Sequence, residues 1–218
     1  MDVTEFVKRE AAMLEGTPKG AARGRSRGFD KQLALESAMD MFWQHGYEGT
    51  SVSELCAGIG IKPPSLYAAF GSKAQLFLDV LEYYERTYWD PVWDAFEREP
   101  HVMSAFRQLF EDTVSVITAP GPHLGCLVTL STASLVDRDS DVARALAAIG
   151  DDGLRRFEAK LDFGIEDGQI SSNADTLAIA HVASMIVDGL AMRAHDRMPP
   201  EMLRRLAAVG TDMIPVSD

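Results

Sequence analysis

The stretch TSVSELCAGIGIKPPSLYAAFGSK, Thr50 to Lys73, constrains this chain more than any other. Ser51 at a helix N-cap with Glu54 three positions later forms a capping box, and Val52, Leu55, Cys56 and Ile59 follow at helical spacing. That predicts a helix of about two turns with one buried stripe. Gly58 and Gly60 then supply the backbone freedom that a sharp reversal requires. Pro63 and Pro64 suit the first turn of a second helix, where amides have no intrahelical partner, and Leu66 and Phe70 give that helix an inward face. Gly71 ends it, and Ser72 caps a third helix opening at Lys73. Helices this short are unstable alone, so the pair needs a packed support.

Upstream, a helix from Asp30, as N-cap, to His45 supplies that support through Leu35, Ala38, Met39 and Phe42, with Gly46 as its stop and Trp43 and Tyr47 completing a small core. Facing outward from the second short helix are Lys62, Ser65, Ala68 and Ala69, with Tyr67 at the edge. A helix displayed in this way fits the major groove of a duplex with its N-terminal residues near base edges. At Ser72 and Lys73, helix amides and a lysine together attract a phosphate.

The run GYEGTSVSEL through GIKPPSLYAAFGSKAQLF resembles the DNA-binding domain of TetR-type (tetracycline-repressor-like, TetR/AcrR) transcriptional regulators. The likeness spans roughly residues 25 to 78, with Phe42, Gly46 and Tyr47 as its upstream landmarks. It implies an all-α protein: an N-terminal three-helix helix-turn-helix domain, joined by a long helix to a C-terminal helical bundle that binds a ligand and dimerises. By the same resemblance, Thr50 or Ser51, Tyr67 and Lys73 match phosphate-contacting positions, and Lys62, Pro63, Pro64 and Ser65 match the groove-facing start of the recognition helix. Ala68 and Ala69 depart from the polar residues common in that family. Alanine offers a base only apolar contact, such as with a thymine methyl.

Charge supports a DNA partner at one end of the chain. The net charge is −12, yet residues 1 to 75 hold nine basic and nine acidic side chains, so the whole excess lies in the remainder. An acidic body turns the neutral, locally basic end toward a polyanion. Residues 16 to 28, GTPKGAARGRSRG, combine glycines with clustered cations and read as a disordered basic arm. Its Arg25 and Arg27 have the reach to enter a minor groove beside the recognition helix, as homeodomain arms do; a solubilising tail is the alternative. The predicted organisation is therefore a flexible extension over 1–28, a helix-turn-helix domain over 29–75, and an effector-binding and dimerisation domain over 76–218.

Beyond residue 80 the periodicity is helical throughout, in segments Met103–Ile117, Cys126–Val136, Asp141–Leu161, Ala174–Ala194 and Pro200–Ile214. The helix from Ser72 is expected to reach about Trp89, with Pro91 and Pro100 bending or ending it. Leu177, Val182, Ile186 and Leu190 spread over more than one stripe of their helix, which therefore needs two partners. With Leu203 and Leu206 of the last helix they are predicted to form a four-helix homodimer interface. The resemblance also implies a cavity for a small effector, hydrophobic or aromatic, and the candidate lining is Tyr88, Trp89, Trp93, Phe106, Phe110, Cys126 and Phe157. The alternative for each is plain core.

Other classes fare worse. The apolar content of 46% supports a real core, and no uninterrupted apolar run of about 18 residues or basic-then-apolar leader occurs. A cytoplasmic compartment without membrane attachment is the expectation. Two cysteines, Cys56 and Cys126, make no disulfide framework. No histidine or cysteine spacing suits a metal, no glycine-rich loop suits a nucleotide, and no Gly-x-Ser-x-Gly elbow is present, so neither a cofactor nor an enzyme is expected. A scaffold that keeps the helix-turn-helix without binding DNA is the stronger rival.

Overall fold

The computed structural model describes residues 30–119, 123–138 and 140–214, and every regular element among them is a helix. The chain divides into two compact units, one drawn from Met1–Tyr84 with Ser131–Ala148, the other from Glu85–Leu130 with Ile149–Asp218. The first unit thus extends beyond the segment 29–75 expected from sequence. The basic arm, with Arg25 and Arg27, lies outside the described residues.

In the first unit, α1 (Lys31–Gly49) starts where the Asp30 carboxylate accepts the Gln32 and Leu33 amides at 3.0 and 3.3 Å. Gly46 does not end this helix outright: at φ 72°, ψ 169° it kinks the chain, and one more helical turn follows. The next two helices are α2 (Val52–Ile59) and α3 (Pro63–Phe70). The capping box forms as expected, the Ser51 hydroxyl accepting the Glu54 amide at 3.2 Å and the Glu54 carboxylate accepting the Ser51 amide at 2.8 Å. Those bonds to Ser51, side chain first and backbone second, hold the Glu54 carboxyl below the usual range. Gly60, at φ 78°, makes the turn. Gly58 serves otherwise: it lies within α2, where an added Cβ would come 2.5 Å from the Met41 sulfur, so its absent side chain lets α1 and α2 approach.

The fourth helix, α4 (Lys73–Tyr84), is capped by Ser72, whose hydroxyl accepts the Gln75 amide at 3.0 Å. Phe77 of α4 meets Phe42 edge-on at 4.9 Å between centroids and Tyr47 at 5.0 Å, while Trp43 meets Tyr84 edge-on at 5.1 Å. Leu55, Leu66 and Phe70 close the same core. Full burial of each such side chain contributes about 1.5–3 kcal/mol, which is how tertiary packing holds two helices too short to persist alone.

The second unit begins with a π-helical turn, Glu85–Trp89, that follows α4 without a gap and leads directly into α5 (Asp90–Arg98). Pro91 does not terminate the helix. It falls in the first turn of α5, where its missing N–H has no intrahelical bond to lose. There follow along the chain α6 (Val102–Ile117), α7 (Leu127–Ser134), α8 (Asp141–Glu166), α9 (Thr176–His195) and α10 (Pro200–Asp212), the end of α7 and the start of α8 belonging to the first unit. Phe96, Phe106 and Phe157 pack at centroid distances of 5.1 to 5.7 Å around the core of this unit, and α6 is covered by α5, α9 and α10. Gly210 lets α10 sit on Ile186 of α9: a Cβ there would lie 3.1 Å from the isoleucine side chain.

Candidate nucleic-acid interface

The backbone at the start of α3 determines what that helix can offer a ligand. Pro63 and Pro64 have no N–H, and the Ser65 and Leu66 amides are turned back to the Lys62 carbonyl at 2.9 and 3.1 Å. Recognition at this terminus therefore falls to side chains. Lys62, Pro63, Pro64 and Ser65 are all exposed, as the sequence predicted, while Leu66 and Phe70 are buried beneath them. Tyr67 is 50% exposed on the flank. Ala68 is exposed and Ala69 half-buried, so the middle of the helix presents a smooth surface.

The predicted phosphate contacts separate into two kinds. Ser51 is exposed at the N-cap of α2, although its hydroxyl already accepts the Glu54 amide. Thr50 is 0% exposed and its hydroxyl donates to the Gly46 carbonyl at 2.7 Å, so its side chain holds the kinked end of α1 and cannot meet a phosphate. Lys73 is half-buried. Its ammonium donates to the Tyr47 carbonyl at 2.8 Å and the Thr50 carbonyl at 3.0 Å, and lies 4.3 Å from the centroid of the Tyr47 ring. Burial lowers its pKa. The resemblance gave Lys73 a phosphate contact alone. The structure shows a clamp between α4 and the α1–α2 junction, with a third ammonium proton left for an outside acceptor.

In the second unit, a cavity of about 100 Å³ is lined by Trp89, Trp93, Cys126 and Phe157, four of the residues proposed from sequence. Phe106 and Phe110 are fully buried core, and neither they nor Tyr88 line it. Four polar residues that sequence reasoning did not assign to it are also on its wall: Glu85, Thr129, Ser184 and Asp188. The Thr129 hydroxyl donates to the Asp188 carboxylate at 2.9 Å. Burial, aided by Asp90 and Asp152 and opposed by Arg156, pushes the Glu85 carboxyl up to about 8. Burial also raises Asp188, against the Thr129 hydrogen bond. The Trp89 indole N–H is buried and makes no hydrogen bond. Glu85, Trp89 and Trp93 are spaced four apart, a charged residue inside an aromatic stripe, and that pattern was the available signal.

Of the residues expected at a dimer interface, Leu190 and Leu203 are buried within the chain itself, and half-buried Ile186 rests on Gly210. Val182 is half-buried, whereas Leu177 and Leu206 are exposed. Met185, Met192, Met202 and Val209 extend the exposed apolar surface of α9 and α10. Among the described residues α9 is long and apolar enough to cross a bilayer, yet it carries Asp188 and Arg193, and only 28% of the apolar stretch is buried. No group of three metal-ligating side chains occurs among the described residues.

Comparison with known proteins agrees with this geometry. Residues 34–80 match the family model for bacterial regulatory proteins of the tetR family. The chain is 31% identical over 190 residues to the HTH-type transcriptional repressor ComR of Escherichia coli (strain K12), covering 85% of this chain and 89% of that protein. A cysteine mutant of the TetR family transcriptional regulator CifR, solved with 26-bp double-strand operator DNA, is 34% identical, with a TM-score of 0.82 over 88% of this chain and all of that one. Bacillus subtilis FadR, solved with stearoyl-CoA, shares the fold at 13% identity and a TM-score of 0.71, covering 85% of this chain and 98% of that chain.

Proposed function

The chain belongs to the TetR family of DNA-binding transcriptional regulators, and from that premise we propose that it acts as a homodimeric repressor, releasing a pseudopalindromic operator when a small effector binds. One observation carries the reading. Helix α3 stands on a fully packed three-helix support and turns outward only Lys62, Ser65, Tyr67 and small or cyclic side chains. That surface suits entry into a major groove, with Lys62 and Ser65 near bases and Tyr67, Ser51 and the spare Lys73 proton near phosphates.

A single helix of this length reads too few base pairs for useful specificity, whereas a two-fold dimer reads two half-sites ~34–36 Å apart or a multiple of that spacing. The exposed apolar surface of α9 and α10, around Leu177, Met185, Leu206 and Val209, supports pairing with a second copy in the cytoplasm rather than membrane insertion. The cavity around Trp89, Trp93 and Phe157 supports an aromatic or hydrophobic effector. For release, the effector must favour the conformation whose recognition helices do not match the operator; a 100-fold difference in its affinity supplies ~2.7 kcal/mol. No catalytic role is assigned.

Selection of the purified protein against random-sequence duplexes tests the reading. An enriched inverted repeat is the expected product, and a pool without enrichment contradicts operator recognition. Val209→Glu, which places a charge on the exposed face, is expected to convert dimer to monomer in sedimentation velocity while leaving helix content intact.

A further inference from the structure

The cavity of the second unit is more specific in chemistry than an aromatic slot. Its walls combine three aromatic side chains, Trp89, Trp93 and Phe157, with two carboxyls, Glu85 and Asp188. We propose that it is a receptor for a small organic ammonium ion, with Glu85 and Asp188 as counter-ions and the aromatic rings as its apolar walls. This deepens the effector-controlled reading above and rests on it for its regulatory meaning.

Charge is the first ground. The charged groups that act on Glu85 are Asp90 of α5 and Asp152 and Arg156 of α8; Asp188 of α9 lines the same cavity, where α7 contributes the Thr129 hydroxyl. The one cation in that set is already committed. Arg156 bonds Asp152 at 2.6 Å and also Glu97, and its guanidinium sits 5.4 Å from the centroid of the Trp93 ring. The cavity wall therefore carries two carboxyls, half-buried Glu85 and exposed Asp188, and no cation of its own. An arriving anion is repelled, and a neutral molecule leaves Asp188, and Glu85 once it ionises, without a counter-ion. An ammonium ion compensates them and gains cation–π attraction from indole faces.

Placement of the carboxyls is the second ground. Asp188 is held in place by Thr129, and Glu85 projects from the π-helical turn, an irregular helix geometry that recurs at functional sites. A cavity of about 100 Å³ is in the range of a small monocyclic amine.

The ionic state of Glu85 gives the proposal a pH signature. An amine of ordinary basicity stays protonated to about pH 10, whereas the Glu85 carboxyl is largely neutral below its pKa of about 8. Affinity for the cation thus rises with pH as Glu85 ionises, by up to about 50-fold between pH 6 and pH 8. A neutral ligand that accepts from the protonated carboxyl shows the opposite slope.

Calorimetric titration of the full chain with phenethylamine and its isosteres 2-phenylethanol and phenylacetate, from pH 6 to pH 8.5, decides the matter. The amine is expected to exceed the alcohol by about tenfold or more at pH 7.5, with the rising pH profile, and phenylacetate not to bind. Glu85→Gln is expected to remove the pH dependence and the preference for amine while leaving the far-ultraviolet circular dichroism unchanged. Equal or stronger binding of the alcohol, a falling pH profile, or no binding of the amine overturns the proposal. Operator release by the same amine is read separately: binding without release leaves the receptor intact and removes its effector role, whereas loss of DNA binding in the unliganded protein strikes the regulator reading alone.

Discussion

Helix α3 and the cavity of the second unit place their polar chemistry in opposite ways. The first carries Lys62, Ser65 and Tyr67 on the outside of one continuous stretch, over a core of Leu66, Phe70 and Phe77. The second draws Glu85, Thr129 and Asp188 from three separate helical segments to the wall of one cavity. The difference follows from the size of what each must meet. A duplex is a long charged rod read from outside, so the reader needs a rigid support and an exposed edge. A small molecule is selected by enclosure, so its site tolerates buried polar groups that burial makes costly until the ligand arrives.

Breaking the support of the outward face has the largest expected effect. Phe77→Ala removes a ring that is 0% exposed and in contact with Phe42 and Tyr47, at an expected cost of about 3–5 kcal/mol in urea unfolding, with operator affinity lost alongside. The inward site gives the next effect and an opposite sign. Glu85 is raised in the folded state to about 8, so between the unfolded carboxyl range near pH 4 and pH 8 the folded chain holds one proton more than the unfolded chain. Stability from the protonated carboxyl is complete below that window and lost as pH rises through it, by about 1.4 kcal/mol per pH unit. Glu85→Gln is expected to abolish that slope and to stabilise the protein at pH 8, as urea unfolding across pH checks.

Lys73→Ala sharpens the comparison within the first unit. Loss of two charged hydrogen bonds to the Tyr47 and Thr50 carbonyls is expected to destabilise by about 1–3 kcal/mol, while Lys62→Ala, with no such bonds, stays within about 0.5 kcal/mol in the same unfolding assay. Tyr67→Phe makes the smallest change: a loss of about 0.5–1.5 kcal/mol in DNA affinity, equal for matched and mismatched duplexes, read by fluorescence anisotropy.

Legibility in the sequence followed the same division. The capping box at Ser51 and Glu54, the turn at Gly60 and the Ser72 cap are set by bonds between near neighbours, so spacing alone revealed them. Gly58, Thr50 and Lys73 were misread in part because their roles depend on Met41, Gly46 and Tyr47, contacts that no local pattern encodes. In the second unit the aromatic residues were visible, but not which of them faced the cavity: Trp89 and Phe157 do, whereas Phe106 and Phe110 are plain core. Leu190 and Leu203 met the periodicity expected of a dimer face and were buried by their own chain instead. Helical spacing identifies a stripe without saying which neighbour covers it.

The most direct test of the central claim is the affinity of the purified protein for its selected operator and for a scrambled duplex, measured by fluorescence anisotropy over a salt series. The account predicts nanomolar operator binding that weakens with salt and exceeds the scrambled duplex by ~10³. Equal, weak binding to both duplexes contradicts it, and means that the outward face of α3 does not read DNA.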